Sequence, residues 1–273
     1  MSAPFIWADL SCYDLPRAQG FYGSLFGWHF RDYFARLQYS DVAGLFEMPE
    51  KFQKIGMPSF WMSYIQVDDL DAKVAQARAL GGKVELGPEP FGDDARIALV
   101  RDPLGAGFTI YEGPAFSTAD GENTRLGHAL FVSDARAVMP FYEALFDWRF
   151  VEVESDLWQF RAGKSAPSYL YQIADERIRG REEYWAVLFK INDLDAVLEN
   201  ASSLGGRYEA VFELPEGQAA LIRDPDEAGF IVVSEYDAQV RRAYKKQTRI
   251  MWRTFFFLMF LIVVLRLIWA LAL

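Results

Sequence analysis

The chain repeats itself. The stretch Asp14 to Phe30, DLPRAQGFYGSLFGWHF, returns 120 residues later as DARAVMPFYEALFDWRF, Asp134 to Phe150. The pairs Asp14/Asp134, Phe21/Phe141, Tyr22/Tyr142, Leu25/Leu145, Phe26/Phe146, Trp28/Trp148 and Phe30/Phe150 coincide. Self-similarity at a fixed period constrains a fold more than any local propensity, because each copy must build the same unit. Two further motifs recur in the same order. DDLDAKVAQARALGG ends at Gly82 and INDLDAVLENASSLGG at Gly206, and the turns Arg101-Asp102-Pro103 and Arg223-Asp224-Pro225 follow them.

Each copy reads as strand, helix and strands, then strand, helix and strands again. PFIWADLSCYD alternates loosely between polar and apolar residues, as a half-buried strand does. Asp14 is placed to cap the following helix, with Pro16 in its first turn, where a missing N–H costs little. Ala18, Phe21, Tyr22 and Leu25 form its apolar stripe, and Gly27 is placed to end it. Asp69-Leu70-Asp71 and Asp193-Leu194-Asp195 set acids at the positive end of two later helices. Pro and Gly in residues 113–123, GPAFSTADGEN, mark a linker with few groups that need burying.

Length and charge narrow the class. At 273 residues there is room for two packed units and a terminal element. Residues 1–236 carry 21 Lys and Arg against 37 Asp and Glu. So acidic a body is unsuited to nucleic acid, whose affinity rests on neutralising phosphates. The single cysteine, Cys12, rules out an internal disulfide or a multi-cysteine metal site. No phosphate-binding Gly loop, serine elbow or HExxH motif is present.

The last 37 residues invert the balance, with seven Lys and Arg and one acid. Residues 254–273 are apolar except for Arg266, and their 20 residues would span about 30 Å as a helix, the thickness of a hydrocarbon core. Arg241, Arg242, Lys245, Lys246, Arg249 and Arg253 precede them. The expectation is a single C-terminal transmembrane helix in a lipid bilayer, with 236–253 as its basic flank and the domains on the cytoplasmic side.

The doubled D…FY…LF.W…F pattern, the two LDA…LGG helices and the two RDP turns together resemble the vicinal oxygen chelate superfamily of glyoxalase I, bleomycin-resistance proteins and extradiol dioxygenases. The likeness covers residues 4–113 and 124–235 and leaves out the tail. It implies an α+β fold: tandem glyoxalase-like domains, 1–113 and 124–235 joined by 114–123, built from βαβββ modules with curled mixed sheets, each around a cleft. Enzymes of the family hold a divalent metal through His and Glu on the cleft strands. The resemblance places the first ligand seven residues before the helix-opening Asp, which finds Trp7 and Gly127. The late ligand, seven after the Asp of the DP turn, finds Thr109 and Ile231.

These substitutions leave the expected fold intact and weaken the expected chemistry. His128 stands one residue out of register, which turns a strand side chain to the other face unless a bulge intervenes. The expectation is therefore a membrane-anchored protein that binds a small molecule, without the usual metal. Trp7, Asp9, Glu47, Tyr64, Gln66 and His128 are the cleft candidates, with Asp9 as polar anchor and Glu47 opposite it. Two alternatives stand beside this reading. One is a metal-dependent lyase, isomerase or dioxygenase with ligands drawn from Asp9, Glu47, Glu112 and His128. The other is a scaffold whose clefts receive a protein partner; oligomeric state is left open.

Overall fold

Among the described residues, sixteen strands and five helices follow the doubled order of the sequence. The protein is described here by a computed structural model covering residues 2–163, 167–174 and 183–236. The expected membrane helix at 254–273, and the basic segment before it beyond Tyr236, lie outside the described residues. Among those described, no helix is long and apolar enough to cross a membrane.

In the first half, β1 (Phe5–Cys12), α1 (Leu15–Phe26), β2 (His29–Arg31), β3 (Phe34–Leu37) and β4 (Ser40–Glu47) form one βαβββ module. A single-turn helix, α2 (Glu50–Gln53), leads to the next: β5 (Phe60–Gln66), α3 (Leu70–Ala79), β6 (Lys83–Phe91), β7 (Ala95–Arg101) and β8 (Gly107–Glu112). The second half repeats this with β9 (Arg125–Val132), α4 (Ala135–Phe146), β10 (Val151–Glu154), β11 (Leu157–Arg161) and β12 (Pro167–Gln172). Its last module is β13 (Tyr184–Ile191), α5 (Leu194–Ser203), β14 (Arg207–Leu214), β15 (Gly217–Arg223) and β16 (Gly229–Glu235). The four long helices begin alike. Asp14, Asp69, Asp134 and Asp193 each accept a hydrogen bond from the N–H three residues on, satisfying a donor that the helix leaves unpaired.

Each half makes one eight-stranded mixed sheet, ordered β2-β3-β4-β1-β5-β8-β7-β6 and β10-β11-β12-β9-β13-β16-β15-β14. The second sheet curls strongly. Tyr171 on β12 and Phe212 on β14 lie five places apart in the strand order, a separation of roughly 24 Å in a flat sheet. Their rings nevertheless meet at 5.7 Å.

The core is shared crosswise. The first module of the first half packs with the last module of the second, and the two middle modules pack with each other. This is where the repeated residues go. Tyr22 donates to Asp224 (3.0 Å) and accepts from Trp61 (3.0 Å). Tyr142 donates to Asp102 (2.9 Å) and accepts from Trp185 (3.1 Å). Phe21 lies against Gly206 and Phe141 against Gly82, where an added Cβ would stand 3.0 Å and 2.9 Å from the ring. The Trp28 indole donates to the Asn123 carbonyl and that of Trp148 to the Ala3 carbonyl, each at 2.8 Å. All three motifs of the repeat therefore serve the junction between the halves.

Candidate binding cleft

Strand alternation divides β1 cleanly. Ala8, Leu10 and Cys12 enter the shared core, and Trp7, Asp9 and Ser11 face the hollow of the sheet. A bulge between Phe5 and Trp7 turns Phe5 into the core as well. Asp9 sits mid-sheet, paired with Gly44 on β4 and Met62 on β5, and is only 8% exposed. Gly44 is needed there, because a Cβ at that position would stand 2.1 Å from the Asp9 Oδ1.

The Asp9 carboxylate is enclosed by donors. The Trp7 indole N–H reaches Oδ1 at 2.5 Å, and the Tyr64 hydroxyl and Gly44 N–H also donate to it. Tyr64 in turn takes a hydrogen bond from Thr109, its neighbour across the β5–β8 pair. Burial pushes the Asp9 carboxyl up to about 6, against the opposing pull of Tyr64, Trp7 and Gly44. Burial, and then the charge of Asp9, raise the Tyr64 phenol above its ordinary range. Around this polar floor stand Ile6, Tyr111, Met62 and Ile97. Phe116 of the linker lies over it, stacked on Trp7 with centroids 4.9 Å apart and planes at 20°.

The second cleft has none of this chemistry. At the positions of Trp7, Asp9, Tyr64 and Thr109 it carries Gly127, Ala129, Leu188 and Ile231, paired in the same register. Where Gly44 makes room in the first half, Tyr169 fills the space, and its hydroxyl accepts from Gln159 at 3.2 Å. Gln159 also reaches Glu216 at 3.3 Å, tying the arms of the sheet together. Phe131 is sandwiched between Tyr171 (5.0 Å) and Tyr184 (4.9 Å).

Three other expected site residues, Glu47, Glu112 and His128, go elsewhere, while Gln66 keeps the strand face of Tyr64 at the edge of the cleft. Glu47 does not face Asp9. It lies three residues beyond Gly44, an odd offset that changes faces along a strand, and it is exposed where β4 ends, paired with Cys12. Glu112 accepts from the Leu70 N–H at 2.7 Å and so serves the start of α3. Gln66 donates to the Gly113 carbonyl at 2.8 Å and holds the root of the linker.

His128 is fully buried between the halves, stacked on Phe5 at 3.9 Å. An Arg125 guanidinium N–H meets Nε2 at 3.2 Å, so Nε2 accepts and Nδ1–H donates to Ser63 (2.8 Å). Burial, then the Arg125 charge, hold the imidazole well below its usual range and keep it neutral. Of the four candidate ligands, only Asp9 faces the first cleft, and no group of three His, Cys, Asp or Glu converges among the described residues. One carboxylate with two hydroxyls and an indole does not fit a divalent-metal centre of the kind the resemblance implies.

Gly44, Tyr111 and Phe116 belong to the cleft without being among the residues expected from the sequence. A signal for the polar floor was present, since overlaying the two copies sets Asp9, Tyr64 and Thr109 against three apolar residues. Comparison with known proteins agrees with the doubled architecture. Residues 5–110 match the Glyoxalase/Bleomycin resistance protein/Dioxygenase superfamily and residues 129–233 a glyoxalase-like domain. The chain belongs to the glyoxalase superfamily.

This glyoxalase-superfamily chain is 30% identical over 243 residues to CFP32, a candidate glyoxylase of Mycobacterium tuberculosis, covering 83% of this chain and 93% of that protein. It is 27% identical over 264 residues to the anthracycline biosynthesis protein DnrV of Streptomyces peucetius, covering 83% and 91%. Among solved structures, the Mn(II)-bound glyoxalase of Novosphingobium aromaticivorans superposes with a TM-score of 0.61 at 12% identity, covering 86% of this chain and 84% of that one. The 2,3-dioxygenase LapB of Pseudomonas sp. KL28 gives 0.59 at 11%, covering 86% and 94%. At such identities the likeness speaks for the fold alone.

Proposed function

We propose that this glyoxalase-superfamily chain binds a small, flat, largely apolar molecule in its first cleft, held by a hydrogen bond to Asp9. One observation carries the reading: Asp9, Tyr64, Thr109 and Trp7 make a hydrogen-bonded floor where the second half has four residues without such groups. An apolar hollow with a few convergent polar groups is the usual make-up of a small-molecule site. Two relatives named for anthracycline biosynthesis point the same way, since anthracyclines are flat polycyclic aromatics.

The proposed ligand presents an O–H or N–H to the carboxylate and its ring to Trp7 and Tyr111. Charge-assisted hydrogen bonds are about twice as strong as neutral ones, so the ionised form of Asp9 is the better anchor. Binding of such a donor then strengthens as pH rises through about 6, the value to which burial lifts this group. The test is titration of the chain with naphthol, followed at Trp7 by fluorine NMR of fluorotryptophan-labelled protein. Asp9→Asn should weaken binding roughly tenfold and abolish the pH dependence. Equal affinity in the two proteins would remove Asp9 from the site.

The tail completes the proposal. Its basic flank and apolar run support a single-pass anchor that holds the domains at a cytoplasmic membrane face. Membrane fractionation of the full chain against a version cut after residue 240 tests this. Both remaining in the supernatant would refute it.

A further inference from the structure

Residues 113–123 do more than join the halves. They leave β8 at Gly113 and cross the mouth of the first cleft, pinned at three places. Gln66 donates to the Gly113 carbonyl (2.8 Å) and the Tyr111 hydroxyl to that of Pro114 (2.9 Å). Thr118 forms an isolated parallel bridge with Asp41, whose carbonyl accepts from the Ala119 N–H at 2.9 Å. Between these pins, Phe116 turns inward and is half-buried, on a segment whose other residues are small or polar.

The seat that Phe116 takes is a built one. Its ring lies nearly parallel to the Trp7 indole at 4.9 Å and meets Tyr111 at 5.2 Å. Ala95 and Ile97 pack against the same cluster of Ile6, Trp7, Tyr64 and Tyr111. The same Trp7 donates its indole N–H to Asp9, so the ring over Trp7 covers the polar floor. A molecule that stacks on Trp7 and reaches Asp9 must occupy the volume that Phe116 fills. The pins are two hydrogen bonds at the root and one bridge beyond, and none involves the Phe116 ring. Releasing the ring therefore leaves sheet and core intact.

We propose that the linker is a strap over the first cleft, and that Phe116 stands in for the aromatic ring of the ligand until the ligand displaces it. This rests on the small-molecule reading of that cleft and adds how entry is controlled and what lies on Trp7. Stacked aromatic pairs prefer offset, near-parallel geometry, so a flat ring is the chemistry that replaces phenyl on indole. Competition between an internal and an external ring also predicts a direction. Weakening the internal ring tightens ligand binding, and enlarging it weakens binding.

The experiment uses the full chain labelled with fluorotryptophan, the Trp7 resonance being assigned by its loss in Trp7→Phe. Naphthol is titrated into the native chain, Phe116→Ala and Phe116→Trp, with far-UV circular dichroism to show that each is folded. The expected result is binding roughly fivefold tighter for Phe116→Ala and roughly fivefold weaker for Phe116→Trp, with the Trp7 resonance shifting in each. Should all three bind naphthol equally at Trp7, the strap is overturned and the cleft reading stands. A Trp7 resonance that moves in none of them overturns both. Tightening in Phe116→Ala without movement at Trp7 also overturns the strap, since the probe then binds elsewhere.

Discussion

Removing one oxygen atom, in Tyr22→Phe, tests the crosswise junction most directly. The Tyr22 hydroxyl is wholly buried and bridges the halves, accepting from Trp61 and donating to Asp224, both at 3.0 Å. Phenylalanine fits the same space but leaves the Trp61 N–H and one Asp224 oxygen without partners. Each buried polar group so stranded costs about 1–3 kcal/mol, giving an expected loss of about 2–6 kcal/mol. The loss should also depend on pH. Burial already lifts the Asp224 carboxyl to about 6, against hydrogen bonds from the Ala228 N–H, Tyr22 and the Asp226 N–H. A folded pKa above the unfolded one makes the folded state the better proton binder. Stability tied to this group is therefore greatest below pH about 4 and is lost as pH rises through about 6. Without the tyrosine, the folded pKa rises further and the variant is penalised more at pH 8 than at pH 5. Urea unfolding of both proteins at the two pH values measures this. A loss below about 1 kcal/mol at pH 8, or one equal at both pH values, would refute the reasoning; Tyr142→Phe, acting on Asp102, should behave alike.

Other predictions follow from single contacts. Gly82→Val places a Cβ 2.9 Å from Phe141 and 3.0 Å from two carbonyl oxygens, so thermal melting should show a loss of about 1–3 kcal/mol. Ser63→Ala removes the acceptor of the His128 Nδ1–H, and denaturant titration should show a loss of about 1–3 kcal/mol. Gly44→Ala drives a methyl group against Asp9 at 2.1 Å, so the Asp9 titration expected near pH 6, read at Trp7 by fluorine NMR, should shift or vanish, whereas Gly20→Ala, with open space around its Cβ, should leave it unchanged.

The fold was legible because the repeated residues bear on it directly. Asp14 and Asp134 start helices, and the Phe-Tyr pairs, the Gly-Gly pairs and the Asp-Pro turns meet across the junction. Each needs a particular side chain, so each leaves a mark in both copies. The contact itself was invisible, since nothing in the spacing shows that Tyr22 of one half seeks Asp224 of the other. The cleft was half legible. Strand parity put Trp7, Asp9 and Tyr64 in one hollow, but parity counted along β1 says nothing about β4, where Gly44 rather than Glu47 stands beside Asp9. Phe116 could not be anticipated, because Gly and Pro mark a linker without saying what it crosses.

The crosswise core carries a consequence for descent. Two separate copies of one such domain would embrace in the same way, and identical copies must carry identical hollows. Joining them in one polypeptide removes that obligation. One hollow is then free to fill with Tyr169 and its aromatic neighbours while the other keeps an acid on its floor. Two identical subunits could not divide the labour in this way, and the linker that joins the unlike halves here lies across the hollow that stayed polar.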